Sequence, residues 1–395
     1  MHQTNLIVRT LCALGIAAFF AACSGSSGKI TPFGAAPSSQ TPLAKRSSGG
    51  EFVYVANAAG NEVSGYAINP GSGALLAVSG SPFAAGTGPN GLAVDPKGKF
   101  VYVANVSSDN VSAYSINAKT GALTQVAGSP FAAGNYAQYV AVDPKGKFAY
   151  VVNEADSTIS AYTINATSGA LTPVAGSPFA TGSHPQVLAV DPKGTFVYVA
   201  DNGSNNVSAY RIDASSGALK QIKGSPFAAG TTPIGLAIIA KGKFAYVANL
   251  GSDNVSAYAI DAKSGALTAV AGSPFAAGNE PSGVAVNPAG KFAYVPNVDS
   301  NNVSAYTINA TTGALTAVSG SPFAAGSGSV FVAVDPKGKF AYVTNAYANN
   351  VSAYAINATS GALTQVTGSP FASGGYPFGV ATCRRVGSAC KPPAL

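Results

Sequence analysis

The chain has 395 residues, 47% of them hydrophobic and only 9% charged, with 46 Gly, 25 Pro and no Trp. So few charges, beside abundant Ala, Ser, Gly, Val and Thr, exclude a disordered chain and a charge-laced helical one, and favour a β protein. A formal charge of +7 invites a nucleic-acid partner, but the placement of the charges, described below, gives no reason to expect one.

At the amino terminus Arg9 precedes the apolar run "LCALGIAAFFAA" (11–22). About 12 apolar residues are too few to cross a bilayer and suit an export signal. The run ends "FAAC" at Phe20–Cys23. Small residues directly before a Cys resemble a bacterial lipobox, with Phe20 where Leu is usual. Residues 1–22 are therefore expected to be a signal peptide and Cys23 a lipidated anchor to a membrane; an ordinary secretory signal with an incidental Cys is the alternative. Both readings have the protein exported, and the lipoprotein reading places it in the cell envelope, facing periplasm or surface. Residues 23–50 are rich in Ser, Gly and Pro without periodicity and read as a tether.

From residue 51 one text recurs. "GALTQVAGSPFAAG" at Gly121 has near copies starting at Gly73, Gly169, Gly217, Gly265, Gly313 and Gly361, always 48 residues apart. One unit contains four strand-like runs: "GLAVD" (91–95), "FVYVAN" (100–105), "NVSAYSI" (110–116) and "LTQVAG" (123–128). Asp95-Pro96-Lys97-Gly98 carries the signature of a type I turn, and Pro130 in "SPF" removes a ladder donor and is expected to end pairing. Four antiparallel strands in 40–50 residues, repeated, is a propeller pattern. "FVYVAN" is apolar on both faces, as expected where blade packs on blade.

"YVAN"-type strands start at Tyr54, Tyr102, Tyr150, Tyr198, Tyr246, Tyr294 and Tyr342, whereas "LAVD"-type strands precede only the last six; the seventh appears as "GVAT" at 379–382. The expected fold is therefore an all-β, seven-bladed propeller over 51–382, its ring closed by the C-terminal strand as the innermost strand of the first blade. Residues 383–395 form a tail in which Cys383 and Cys390 are close enough to bridge in an oxidising compartment.

Tyr342-Val343-Thr344-Asn345 spells "YVTN", and with "AVDPKGKFAYVTN" and "VSAYAINATSGALT" the chain resembles the YVTN-repeat propellers of the seven-bladed lactonase family over residues 51–382. The resemblance implies the fold. It is shared with 6-phosphogluconolactonases and carboxymuconate-lactonising enzymes, and also with surface propellers that carry no known chemistry, so it leaves function open. The family's enzymes often place a His after a "P-x" in the loop entering the first strand. Here those places read Pro89-Asn90-Gly91, Pro185-Gln186-Val187, Pro233-Ile234-Gly235, Pro281-Ser282-Gly283 and Pro377-Phe378-Gly379.

Strand parity puts the loops entering each first strand on one face, called the top, with those joining second to third strands. Top loops carry Glu62, Asp109, Glu154, Asp156, Asp201, Asp253, Glu280 and Asp299 and no Lys or Arg, while the bottom turns carry lysines such as Lys97, Lys99, Lys145 and Lys147. Turn lysines that keep hairpins soluble account for the positive charge. A phosphorylated or carboxylated lactone needs a cationic clamp, and none stands on the top face. No GxSxG, HExxH, P-loop or dinucleotide motif occurs, no cofactor is indicated, and Glu154, Asp156 and Glu280 match no metal motif.

The seven tetrapeptides entering the first strands vary most, and offer Asn90, Tyr136, Gln138, His184, Gln186, Glu280, Tyr376 and Phe378 at the channel mouth. Aromatic faces beside hydrogen-bonding groups suit a sugar or peptide. The first expectation is accordingly a binding or envelope-interaction protein that takes an envelope glycan or peptide. The second is a lactonase or cyclase with His184 and Glu280 as acid–base candidates, and the third a structural surface protein.

Overall fold

The computed structural model describes residues 50–393; the expected signal segment, Cys23 and the tether before Gly50 lie outside the described residues. Seven antiparallel sheets form the seven blades of a propeller. In the second blade the order from channel to rim is Pro89–Val94, Phe100–Asn105, Asn110–Ile116 and Leu123–Gln125. Burial falls along that order: the second strand is buried throughout, whereas the outermost keeps one buried residue of three. Glu51–Asn57 pairs with Pro377–Val386, so the last long strand completes the first blade and closes the ring as expected.

That closing strand runs past the expected residue 382. Gly387, at φ 63°, turns it back so that Ala389–Lys391 pairs with it. Cys383 and Cys390 form a disulfide, and the Cys390 N–H donates to the Gly98 carbonyl (2.7 Å) in the bottom turn of the second blade. Lys337 of the seventh blade meets the buried Glu51 carboxylate at 2.8 Å, a second tie across the closing seam.

The outermost strand departs from the expectation. Pairing does not end at "SPF": after Leu123–Gln125 the chain turns, and Phe131–Ala132 pairs again with the same third strand, in every blade alike. Pro130 does break the ladder, but Ser129 Oγ accepts the Ala113 N–H (2.9 Å) that the gap would orphan.

Blades are joined by a repeated contact. Tyr54 donates its hydroxyl proton to the Gly121 carbonyl of the next blade, and the same bond recurs at 2.8–3.0 Å from Tyr102, Tyr150, Tyr198, Tyr246 and Tyr294, ending with Tyr342 on Gly73 across the seam. Phe52 lies flat on Gly121, where a Cβ would sit 2.4 Å from its ring and φ is +76°. Only glycine accepts both conditions. Near the top a second tyrosine makes a matching bond, as Tyr114 does to the Ala84 carbonyl of the preceding blade (2.5 Å). The hydrophobic core is correspondingly a series of layers between blades, such as Tyr54, Val101, Val103 and Leu123 between the first and second.

Gly121→Ala is expected to destabilise the protein more than Tyr54→Phe, since it adds strain and a clash where the other removes one buried hydrogen bond worth about 1–2 kcal/mol. Denaturant unfolding of the two variants checks this order, and equal midpoints would refute it.

Candidate functional site at the channel mouth

The second residue of the variable tetrapeptides is held from both sides in six of the seven loops. Tyr136 donates its N–H to Asp109 Oδ1 of the preceding blade (2.7 Å), and its carbonyl accepts the Glu154 N–H (2.9 Å). Glu280 N–H on Asp253 Oδ1 and Tyr376 N–H on Asn349 Oδ1 repeat the pattern. Gly88 and Gly328 occupy this position at φ 66° and 67°, while Tyr136, His184, Thr232, Glu280 and Tyr376 adopt φ of 51–58°. Side chains other than glycine cost about 1–2 kcal/mol in that region, so five of the seven loops carry strain at the mouth.

Two residues later the pairing of first and second strands slips in six blades, a β-bulge around Asn90, Gln138, Gln186, Ile234, Val330 and Phe378. A bulge sets two residues against one and re-aims side chains. Here it delivers amides to a buried acid. Asn90 Nδ2 donates to Gln138 Oε1 (2.7 Å), and Gln138 Nε2 donates to Glu154 Oε2. Glu154 is 3% exposed, and its Oε1 finds no hydrogen-bond donor among the described residues. Burial pushes its carboxyl up to about 7; the amides of Gln138 and Gln186 pull the other way. Gln186 stands close enough to exert that pull, yet its Nε2 completes no hydrogen bond of good geometry among the described residues.

The opposite wall is aromatic. Tyr139 of the third blade reaches across the channel to Phe331 of the seventh, ring centroids 6.0 Å apart, and Phe331 meets Phe378 at 5.2 Å. Room for these rings comes from glycines: a Cβ on Gly91 would lie 2.3 Å from Tyr139, and one on Gly283 3.0 Å from Phe331. Two departures from the repeat reshape the neighbouring strands. Pro296 lacks the N–H that holds the inner strand elsewhere, and Gly283 bonds instead to the Val330 carbonyl (2.8 Å). Thr344 Oγ1 donates to the Phe378 carbonyl (2.6 Å) and accepts the Phe331 N–H (3.2 Å). Beneath Tyr139 lies a cavity of about 270 Å³, lined by one alanine from each blade, Ala93 to Ala381.

The structure thus brings Asn90, Gln138 and Gln186 together around Glu154, and Tyr376 and Phe378 together on the aromatic side. Tyr136 and His184 stand on the rim, His184 exposed with Nδ1 on Ser183 Oγ (2.8 Å). Glu280 is buried on the sixth-blade side. Among the described residues no three His, Cys, Asp or Glu side chains gather as a metal site, so Glu154, Asp156 and Glu280 do not form one.

A second buried carboxyl marks this face. Six blades place Asn at the end of the second strand, as Asn105, whose Nδ2 donates to Asn110 Oδ1 (2.8 Å) and Ser112 Oγ (2.9 Å). The fourth blade has Asp201 there, so Asp201 Oδ2 and Asn206 Oδ1 both lack a donor among the described residues. Burial pushes the Asp201 carboxyl up to about 6.

With this geometry in place, comparison with known proteins gives the class. The sequence profile "Lactonase, 7-bladed beta-propeller" matches residues 44–135, 124–234 and 227–332, and the chain belongs to that family. No curated protein matches the sequence. Among solved structures the chain is similar to a candidate 6-phosphogluconolactonase from Bacteroides uniformis (20% identity, 85% of this chain and 100% of that one, TM-score 0.74) and another from Bacteroides fragilis (22%, 86% and 99%, 0.73). It is also similar to the periplasmic gluconolactonase PpgL of Pseudomonas aeruginosa (18%, 84% and 98%, 0.73). At such identities the likeness shows the fold.

Membership of the lactonase family overturns the first expectation, of a binding or envelope-interaction protein, in favour of an enzyme-type function. That expectation weighed the missing His and missing cations, and passed over Glu154 because its burial is set by the bulged strands around it. The signal was present: the residue after each "YVAN"-type motif reads Ala58, Val106, Glu154, Asn202, Leu250, Val298 and Ala346, with one acid among them.

Asp201→Asn is expected to stabilise the fold at neutral pH by about 1–3 kcal/mol, by restoring the two donations and removing a buried charge. Because the folded-state pKa is raised, the native Asp contributes its best stability below about pH 4 and loses it as pH rises through about 6. The advantage of the variant should therefore appear between those values in melts run as a function of pH; a constant difference would contradict the assignment.

Proposed function

We propose that the protein hydrolyses a lactone at this mouth, with Glu154 as general base. The observation that carries the reading is a buried carboxylate, fixed at Oε2 by the Asn90–Gln138 relay and unpartnered at Oε1 among the described residues, in a chain of the lactonase family. Glu154 takes a proton from a water whose oxygen bonds to the lactone carbonyl carbon. The Gln186 amide supplies a donor for the carbonyl oxygen as negative charge develops on it. When that tetrahedral species collapses, the ring C–O bond breaks, the proton passes to the departing oxygen, and a hydroxy acid leaves. The apolar run at 11–22 and the Cys that follows support an exported enzyme tethered by Cys23.

A base held near pH 7 by burial is half ionised there, so kcat/KM should rise with pH and level off above about 7. Glu154→Gln is expected to lower kcat/KM by about 10²–10⁴-fold. The same change should raise the melting temperature above pH 7, because a carboxyl with a raised folded-state pKa stabilises only while protonated; the gain should shrink toward pH 4. Rates by pH-stat on uncharged lactones, with melts over the same range, test both. Full turnover by the variant would remove Glu154 from the role.

A further inference from the structure

We propose that the lactone taken by this site is uncharged and carries an extended apolar substituent, laid along the row of aromatic rings on the wall opposite Glu154. The inference rests on the hydrolase reading and names its substrate class. Tyr139 follows Gln138, the residue that fixes Glu154, and its ring crosses the channel to Phe331, so the row starts from the strand that holds the proposed base. From there the rings follow one another to the rim: Phe331 and Phe378 at 5.2 Å, Phe378 and Tyr376 at 6.4 Å and nearly parallel (13°), Tyr376 and Tyr347 at 6.1 Å. Exposure rises from Phe331 outward. Phe331 is 8% exposed, Phe378 and Tyr376 are half-buried, and Tyr347, at 44%, is one of three large hydrophobic side chains exposed among the described residues.

The mouth divides its chemistry. Hydrogen-bonding side chains gather on the second to fourth blades, at Asn90, Gln138, Gln186 and Glu154, and suit the polar ring of a lactone. The seventh and first blades present hydrocarbon along a path of four ring-to-ring steps from Tyr139. A single sugar ring spans one or two such steps, whereas a longer alkyl chain runs on past it along the row. Apolar surface attracts such a chain by about 0.8 kcal/mol per buried methylene, or roughly fourfold in affinity.

Charge points the same way. Among the described residues no top loop carries Lys or Arg, and the face holds Asp109, Asp156, Asp253 and Glu280 besides Glu154. A phosphate or carboxylate on the substrate would enter against these carboxylates with no cation to receive it. The family's phosphorylated substrates are therefore a poor fit to this chain.

The test is hydrolysis by the full-length protein of γ-butyrolactone, γ-hexalactone, γ-decalactone and γ-dodecalactone, with glucono-δ-lactone and 6-phosphoglucono-δ-lactone. The expected result is that kcat/KM rises about two- to fourfold per added methylene through the series to γ-dodecalactone. Tyr347→Ala and Phe378→Ala should each flatten the ratio of decalactone to butyrolactone rates by about tenfold, read within each variant so that general losses cancel. Turnover that ignores chain length, or that favours either sugar lactone, would overturn the inference while leaving the hydrolase reading in place. Failure on every lactone by protein with a native melt would sink the hydrolase reading and the inference with it.

Discussion

A tyrosine hydroxyl donating to a glycine carbonyl in the next blade, with a phenylalanine laid on that glycine, is the contact on which the rest of the molecule depends. It recurs at every seam, and at the last it joins residues 342 and 73. Each bond lies in a water-excluded layer, where an unmade partner costs more than a made one gains. The glycine cannot change because φ is positive and the ring leaves no space for a Cβ. The "GAL" text is therefore rewritten in each blade under the same steric demand, and the lower half of the propeller has little freedom to vary.

Variation is confined to the top, and there the chain uses a few departures from its own repeat. Glu154 replaces an apolar or neutral residue, Tyr139 and Phe331 stand where four blades have glycine, and Pro296 and Thr344 loosen and re-bond the inner strands nearby. Burying a carboxylic acid and holding five mouth residues in the left-handed region both work against stability. The seven inter-blade ties offset that cost at a distance, as scaffold and site occupy opposite ends of the same strands.

The fold was largely legible in the sequence because a covalent period of 48 residues fixes blade number, and the displaced "GVAT" strand fixes how the ring closes. The split outer strand was not, since a proline reads as a stop unless one knows that a serine hydroxyl bridges the gap. The site was legible only in part. Asn90, Gln138, Gln186 and Phe378 stand out as variable residues at one repeat position, but what they do depends on a one-residue slip in pairing that periodicity does not reveal. Burial then turns Glu154 from one surface acid among eight into a group that titrates near neutrality. Counting histidines and cations therefore pointed away from an enzyme, because acid strength in a protein follows from surroundings as much as from residue type.

The closing strand has a consequence for how such a ring comes into being. Blade one opens at Glu51 but lacks its innermost strand until Pro377–Val386 arrives, more than three hundred residues later. A chain emerging in order from a ribosome, or threaded amino terminus first through a membrane pore, cannot complete its first blade until residues 377–386 have appeared. Loss of that strand would leave the edge of Glu51–Asn57 unpaired on the channel side of the first blade. Such a ring is proofread by its own geometry: only the closed form covers the inner edge of the first blade, leaving the short outer strands as its edges.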